Sequence, residues 1–230
     1  MRKVSFQSNY VMHPAGSCLA VFGNTKVICT ASISDDLPPF LQDSDSGWLT
    51  AEYAMLPGST GGGRKRRDFL KRDGRSTEIQ RLIARSLRMA VNLEKLGPVS
   101  IIVDCDVLQA DGGTRTAAIS GGWVALYEAL KVLAKEQGVS GPEHYVLGQV
   151  AAVSVGIVEG DIVCDLDYKQ DSTASTDMNI VQRDSELIEV QGTAERNPFS
   201  RESLLNMLDE AANGIQHIFG RQQDALGLSP

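Results

Sequence analysis

Short apolar runs separated by polar breaks make up most of the chain, and their period changes at definite places. Residues 3–12 alternate loosely. Residues 17–22 (SCLAVF) and 26–33 (KVICTASI) are strand-like, with Gly23-Asn24 between them suited to a hairpin turn. After an aspartate- and proline-rich loop at 35–47, residues 48–56 fit either period, and their Thr and aromatic content favours a strand. A glycine-rich loop over 57–74 leads to an amphipathic helix opened by Ser76, with Ile79, Leu82, Ile83, Leu87 and Ala90 on one face. Residues 100–108 (SIIVDCDVL) predict a buried strand and 117–131 a helix, followed by a polar connection at 137–143.

The second part of the chain repeats the theme. Residues 150–158 predict a strand, 159–161 a turn and 162–168 the partner strand, on which Asp165 and Asp167 share a face. Strands are expected at 176–182 and 186–191, and a closing helix at 200–219 capped by Ser200. Leu204, Leu205, Leu208, Ala211, Ile215 and Ile218 form its apolar face. Residues 20–33 and 154–166 are both apolar hairpins with a glycine turn and a cysteine in the returning strand. That echo suggests a duplicated βαβα-type unit, folded as one body over residues 1–230.

Composition narrows the function classes. The 230 residues, 42% hydrophobic, suffice for a sizeable core. No apolar run approaches a membrane span and the start does not read as a signal peptide, so a cytoplasmic protein with no membrane partner is expected. The four cysteines (Cys18, Cys29, Cys105 and Cys164) lie far apart in apolar segments and are expected as core thiols. The net charge of −7 argues against nucleic acid, but its distribution does not. Ten of the 22 basic residues fall between 64 and 88: Arg64, Lys65, Arg66, Arg67, Lys71, Arg72, Arg75, Arg81, Arg85 and Arg88. An acidic body with one basic patch can bind a polyanion locally. Arg81, Arg85 and Arg88 form one stripe along the helix, either a solvated face or part of an RNA path or subunit contact.

Three sets carry candidate chemistry. Asp111-Gly112-Gly113-Thr114-Arg115-Thr116 joins a strand to a helix. Either Thr114 or Thr116 caps that helix, or the glycines and first N–H groups cradle an oxyanion gripped by Arg115. Asp73-Gly74-Arg75 places a second arginine before a helix in the same way. Asp165, Asp167, Asp171 and Asp177, with Asn179, form an acidic set suited to Mg²⁺ shared with a substrate phosphate, or are solvated loop acids. His13, His144 and His217 are dispersed and expected at the surface.

Several long segments then resemble the RNase PH family of phosphorolytic exoribonucleases, relatives of polynucleotide phosphorylase and the exosome ring subunits. These are EIQRLIARSLR (78–88), VDCDVLQADGGTRTA (103–117), DLDYKQDSTASTDMN (165–179) and EVQGTAE (189–195), extended by FGNTKVICTAS (22–32) and GWLTAEYAMLP (47–57). The resemblance implies an α+β fold of two βαβα-type halves, the ribosomal protein S5 domain 2-like arrangement. It also implies phosphate-dependent, reversible trimming of tRNA 3′ ends with release of nucleoside 5′-diphosphates. Position by position it implies a phosphate site at Arg75, Gly113, Thr114 and Arg115. Asp171 and Asp177 are the implied acid–base and Mg²⁺-binding pair, with the assignment of the proton between them open. A homohexamer, a trimer of dimers, is implied, with Arg64, Lys65, Arg66, Arg67, Lys71 and Arg72 facing RNA or neighbouring subunits. Two features depart from the family pattern. The Asp-Gly-Arg segment that usually precedes the first strand is not in this sequence, and Gly58 stands where an arginine is usual. The alternatives are a catalytic exosome-type ring subunit that needs a partner chain, or a non-catalytic RNA-binding ring subunit.

Overall fold

The computed structural model describes residues 1–42, 44–64 and 74–228. The first half runs β1 (Val4–Ser8), β2 (Gly16–Phe22), β3 (Thr25–Ser34), β4 (Trp48–Met55), α1 (Gly74–Arg88), β5 (Ser100–Gln109) and α2 (Thr114–Gln137). The second runs β6 (Val150–Val158), β7 (Asp161–Cys164), α3 (Tyr168–Thr173), β8 (Thr176–Arg183), β9 (Glu186–Ala194) and α4 (Arg201–Leu226). The first sheet has five strands in the order β1-β2-β3-β5-β4, and the second has four in the order β7-β6-β8-β9. The α+β class and the two hairpin-bearing halves are therefore observed. The halves are not strict copies: β4 pairs parallel to β5 across the α1 crossover, whereas every pairing in the second sheet is antiparallel.

Local chemistry explains most of these elements. Both echoing hairpins turn on positive-φ positions, at Gly23 in the first and at Glu159 and Gly160 in the second. Helix α1 buries Ile79, Leu82, Ile83 and Leu87 as its spacing predicts, each worth roughly 1.5–3 kcal/mol of transfer free energy. Helix α4 is capped by Ser200, whose hydroxyl accepts from the Ser203 N–H, and it runs beyond the expected end to Leu226. Leu205 points outward rather than into the apolar face, which Met207, Ala211, Ile215 and Ile218 form.

Helix α2 is the central element, packed on β2 and β3 of the first sheet on one side and on β6 of the second on the other. It corrects one expectation, since by length and apolarity it could cross a membrane. Its window is 89% buried, which identifies it as the core helix of the protein. All four cysteines are buried, free thiols. Cys18, Cys29 and Cys105 face one another across β2, β3 and β5 beneath α2, and burial pushes the Cys18 thiol far above its usual range.

The returning strand of the second hairpin is shorter than its sequence suggests. β7 stops at Cys164, because Asp165 adopts a left-handed φ of 64° and Asp167 starts α3 as its N-cap. Asp167 accepts from the Gln170 N–H while Gln170 reaches back to the Asp167 N–H, a reciprocal capping box. Asp165 and Asp167 thus do not share a strand face.

Candidate active site

A cleft of about 1710 Å³ opens where the two halves meet. The first half contributes the end of β4, the N-termini of α1 and α2 and the loop between β5 and α2. The second half contributes α3, the start of β8 and the end of β9. Arg75, Gly113, Thr114, Arg115, Asp171 and Asp177 all line it, so residues up to about a hundred positions apart converge as expected. Arg64 is exposed, whereas Lys65, Arg66, Arg67, Lys71 and Arg72 lie outside the described residues.

Of the two readings of the glycine turn, the side-chain cap by Thr114 or Thr116 is not what the structure shows. Gly113, at φ 62°, is the N-cap residue of α2, and no side chain caps the helix there. Thr114, Arg115 and Thr116 are its first turn, and the Thr116 hydroxyl donates to Gly113 O instead of capping an N–H. The first N–H groups of α2 are thereby left for a ligand, and the helix dipole favours an anion. Thr114 is held from behind by the buried Tyr53, whose hydroxyl donates to Thr114 Oγ1 at 2.9 Å. Burial raises the Tyr53 pKa, which keeps that donor protonated, against the lowering effect of the Thr114 hydrogen bond and of Arg75 and Arg115.

Arg115 is oriented before any ligand arrives. Its Nη1 donates to Gln191 Oε1 at 2.9 Å and reaches Glu78 Oε1 at 3.5 Å, while Gln191 Nε2 donates to the same Glu78 oxygen. One guanidinium nitrogen is anchored and the others remain for an oxyanion. Arg75, in the first turn of α1, lies close enough to lower the pKa of both Tyr53 and Asp171. Ser76, expected as the cap of α1, sits inside the helix, which begins at Gly74. The arginine stripe farther along α1 has local partners: Arg85 pairs with Glu189 at 3.3 Å, and Arg88 stacks over Trp48 at 4.6 Å.

The acidic set divides. Asp165 is 1% exposed and ion-paired to Arg2 at 2.6 Å, and Asp167 is spent on the α3 cap. Asp171, Asp177 and Asn179 remain at the cleft. Asp177 and Asn179 alternate outward along β8 while Met178 and Ile180 enter the core. Both cleft aspartates have raised pKa values, chiefly from desolvation. Their neighbours differ: the Arg75 and Arg115 charges pull Asp171 down, whereas the Asp171 and Glu195 charges push Asp177 further up against Arg115 alone. Among the described residues no group of three or more His, Cys, Asp or Glu side chains is placed to cage a metal. Two carboxylates at an open cleft do fit Mg²⁺ completed by waters and substrate phosphate. The three histidines stand outside the cleft.

Tyr53, Glu78, Gln191 and Glu195 carry weight here that the sequence alone does not assign. Glu78 and Gln191 lie in recognisable segments but 113 positions apart, and only the fold joins them.

Fold and site together define a two-half α+β protein with two arginines and a carboxylate pair lining one cleft between the halves. The chain matches the 3′ exoribonuclease family, domain 1 over residues 1–131 and domain 2 over residues 148–214. It is 53% identical over 230 residues to Ribonuclease PH of Synechococcus sp. strain JA-2-3B'a(2-13), spanning 99% of this chain and 94% of that one. It is 52% identical to Ribonuclease PH of Synechococcus sp. strain JA-3-3Ab, spanning 99% and 95%. In fold it resembles rice (Oryza sativa) Rrp46, with a TM-score of 0.76, 15% identity and coverage of 97% and 94%. It likewise resembles the Archaeoglobus fulgidus exosome with RNA bound to the active site, with a TM-score of 0.76, 21% identity and coverage of 96% and 88%. The chain belongs to the 3′ exoribonuclease family of the RNase PH type.

Proposed function

We propose that this protein is a phosphate-dependent 3′ exoribonuclease, a phosphorolytic nucleotidyltransferase that shortens RNA by one nucleotide per cycle. The observation that carries the reading is the meeting of Arg75 and Arg115 with Asp171 and Asp177 at the side-chain-free N-terminus of α2. Inorganic phosphate sits against Gly113, Thr114 and the two arginines, and one of its oxygens attacks the last phosphodiester phosphorus. The P–O3′ bond breaks, a nucleoside 5′-diphosphate departs, and the new RNA end takes up a proton at its 3′ oxygen. Two anions must be brought together, so fixed cationic forks and helix N–H groups lower the barrier by positioning them and balancing charge.

The two carboxylates divide the remaining work. Asp177, with acidic neighbours and a raised pKa, is suited to hold the proton that the leaving 3′ oxygen needs. Asp171 is raised by desolvation as well, but Arg75 and Arg115 beside it favour its charged form. Asp171, with Asp177 when it is ionised, would hold Mg²⁺, which would neutralise phosphate oxygens when bound. A phosphodiester is broken and the phosphoanhydride of the nucleoside diphosphate is formed, so the energy of the phosphoryl bond is conserved in the product and the reaction runs in reverse at low phosphate.

The same reading takes tRNA precursors as substrate and a homohexamer, a trimer of dimers, as the working form. Incubated with a 3′-extended tRNA, Mg²⁺ and labelled phosphate, the protein should release labelled nucleoside diphosphates. Release of monophosphates without a phosphate requirement overturns the reading. Gel filtration should give a homohexamer, and a lone monomer would point instead to an exosome-type subunit awaiting a partner.

A further inference from the structure

Arg2 and Asp165 form an ion pair that the reaction itself does not use. The Arg2 Nε and Nη2 donate to the two Asp165 oxygens at 3.0 and 2.6 Å, and the Arg2 backbone N–H adds a third bond at 3.1 Å. The Asp165 side chain is wholly buried, and its backbone sits in the left-handed region, an uncommon conformation for a residue with a side chain. A buried ion pair adds little net stability beside an apolar pair of equal volume, yet it fixes orientation. The remaining Arg2 nitrogen, Nη1, donates to the Asp111 carbonyl, the first residue of the turn that cradles the anion. One guanidinium therefore ties the phosphate turn of the first half to the segment of the second half that launches α3.

Two further contacts cross the same seam, between Tyr168 and Asp111 and between Gly112 and Leu166–Asp167, while bonds from Asn24 and Thr25 hold the turn within the first half. The Asp111 carboxylate accepts from the Tyr168 N–H at 3.3 Å and from Asn24 Nδ2 at 3.1 Å. Thr25 Oγ1 donates to Gly112 O and accepts from the Asp111 N–H. Gly112, at φ 74°, lies so close to Leu166 and Asp167 that a Cβ there would come within 2.4 Å of the Leu166 oxygen. The turn and the start of α3 are thus packed backbone to backbone, and Asp171 follows one helical turn later.

We infer that Arg2 and Asp165 are positioning residues for phosphorolysis, a brace that sets the distance between the phosphate cradle at Gly113–Arg115 and the carboxylate on α3. Neither side chain touches the reacting atoms. Displacement of a reacting group by about 1 Å can cost on the order of 100-fold in rate, which sets the scale of the effect. The inference rests on the phosphorolytic reading of the cleft.

The test uses the full chain with Arg2→Lys, Asp165→Asn and the double variant. Each is assayed for phosphate-dependent release from 3′-extended tRNA and for inorganic phosphate binding without RNA. Arg2→Lys keeps the charge but loses the fork, so it should still weaken phosphate kcat/KM by roughly 10–100-fold. KM for RNA should stay within about twofold, and the double variant should be little worse than either single one. A brace that serves stability alone predicts a lower Tm with phosphate KM and Kd unchanged below the transition, and that result overturns the inference. Should these variants fail to fold, Asn24→Ala removes only an exposed bond to Asp111 and should raise phosphate KM several-fold; an unchanged KM overturns the inference equally. Failure of the parent reading looks different, as a wild-type protein that releases no diphosphates. If that protein still binds phosphate, the Kd comparison decides the brace, and if it binds none, both fall.

Discussion

The two sides of the cleft are built by opposite means. The arginine side uses main chain: two helix N-termini, glycines at positive φ and guanidinium groups set in the first helical turns. Arg115 is held on the spot, ion-paired to Glu78 and hydrogen-bonded to the Gln191 amide. The carboxylate side uses side chains from a six-residue helix and a strand face, and both acids are raised by desolvation first, Asp177 also by Asp171, and both by Glu195. The difference teaches that the arginine side can exist alone, whereas the carboxylates depend on the arginines opposite to reach a useful ionisation state. On the proposed reading, the arginine side is therefore the foundation and the acid pair the tuned part.

Removing the tuned part should have the largest effect. Asp177→Asn keeps shape and hydrogen-bonding capacity but cannot deliver a proton, so phosphorolysis should fall by about 10²–10⁴-fold. Phosphate binding, read by equilibrium titration without RNA, should be kept or slightly tightened because one negative charge has left the cleft. Weakened phosphate binding in that variant would break the assignment of the anion to the other side. Arg115→Ala removes a fork from the foundation, and phosphate-dependent trimming should fall by roughly 10²–10³-fold with the fold retained. Here phosphate KM should rise steeply, and an unchanged phosphate dependence would show that the anion binds elsewhere.

The arginine side was legible in the sequence because its signals are local. A strand, two glycines, Thr-Arg-Thr and an apolar helical run sit within a few residues of one another, and the fold places them as that order suggests. The carboxylate side was legible only in outline. Alternation put Asp165 and Asp167 on one strand face, but β7 is cut short by the left-handed turn at Asp165 and the capping box at Asp167. Those two acids do structural work that period-2 reasoning cannot anticipate, since their partners, Arg2 and Gln170, are 163 and 3 positions away. Helix α2 is longer and more apolar than its sequence reading suggested, and its role as a core helix rests on the two sheets that cover it, which its own sequence does not show. The resemblance in the motifs carried the site residues further than periodicity did. Tyr53 and Gln191, which aim Thr114 and Arg115, stood in the same quoted segments without a role.

The smallest expected effect sharpens the comparison most directly, because it reads the carboxylate side without any chemistry. Asp177 has a folded-state pKa above its unfolded value of 3.8, from desolvation first and the Asp171 and Glu195 charges next. Ionising it therefore costs more in the folded protein than in the unfolded chain, and stability declines as pH rises from 3.8 through the folded pKa. Below that window both states hold the proton and nothing is lost. In metal- and phosphate-free buffer, Asp177→Asn should accordingly raise Tm at pH 7. The gain should shrink as pH falls toward 3.8 and vanish well below it, where the carboxyl is neutral in both states. Asp171→Asn should gain less, because Arg75 and Arg115 already offset part of its cost. In an Arg115→Ala background the gain from Asp177→Asn should grow, since Arg115 is the one cation that lowers the Asp177 pKa. Equal gains with and without Arg115 would mean that the two sides of the cleft are not electrostatically coupled, and the dependence of the acids on the arginines would have to be abandoned.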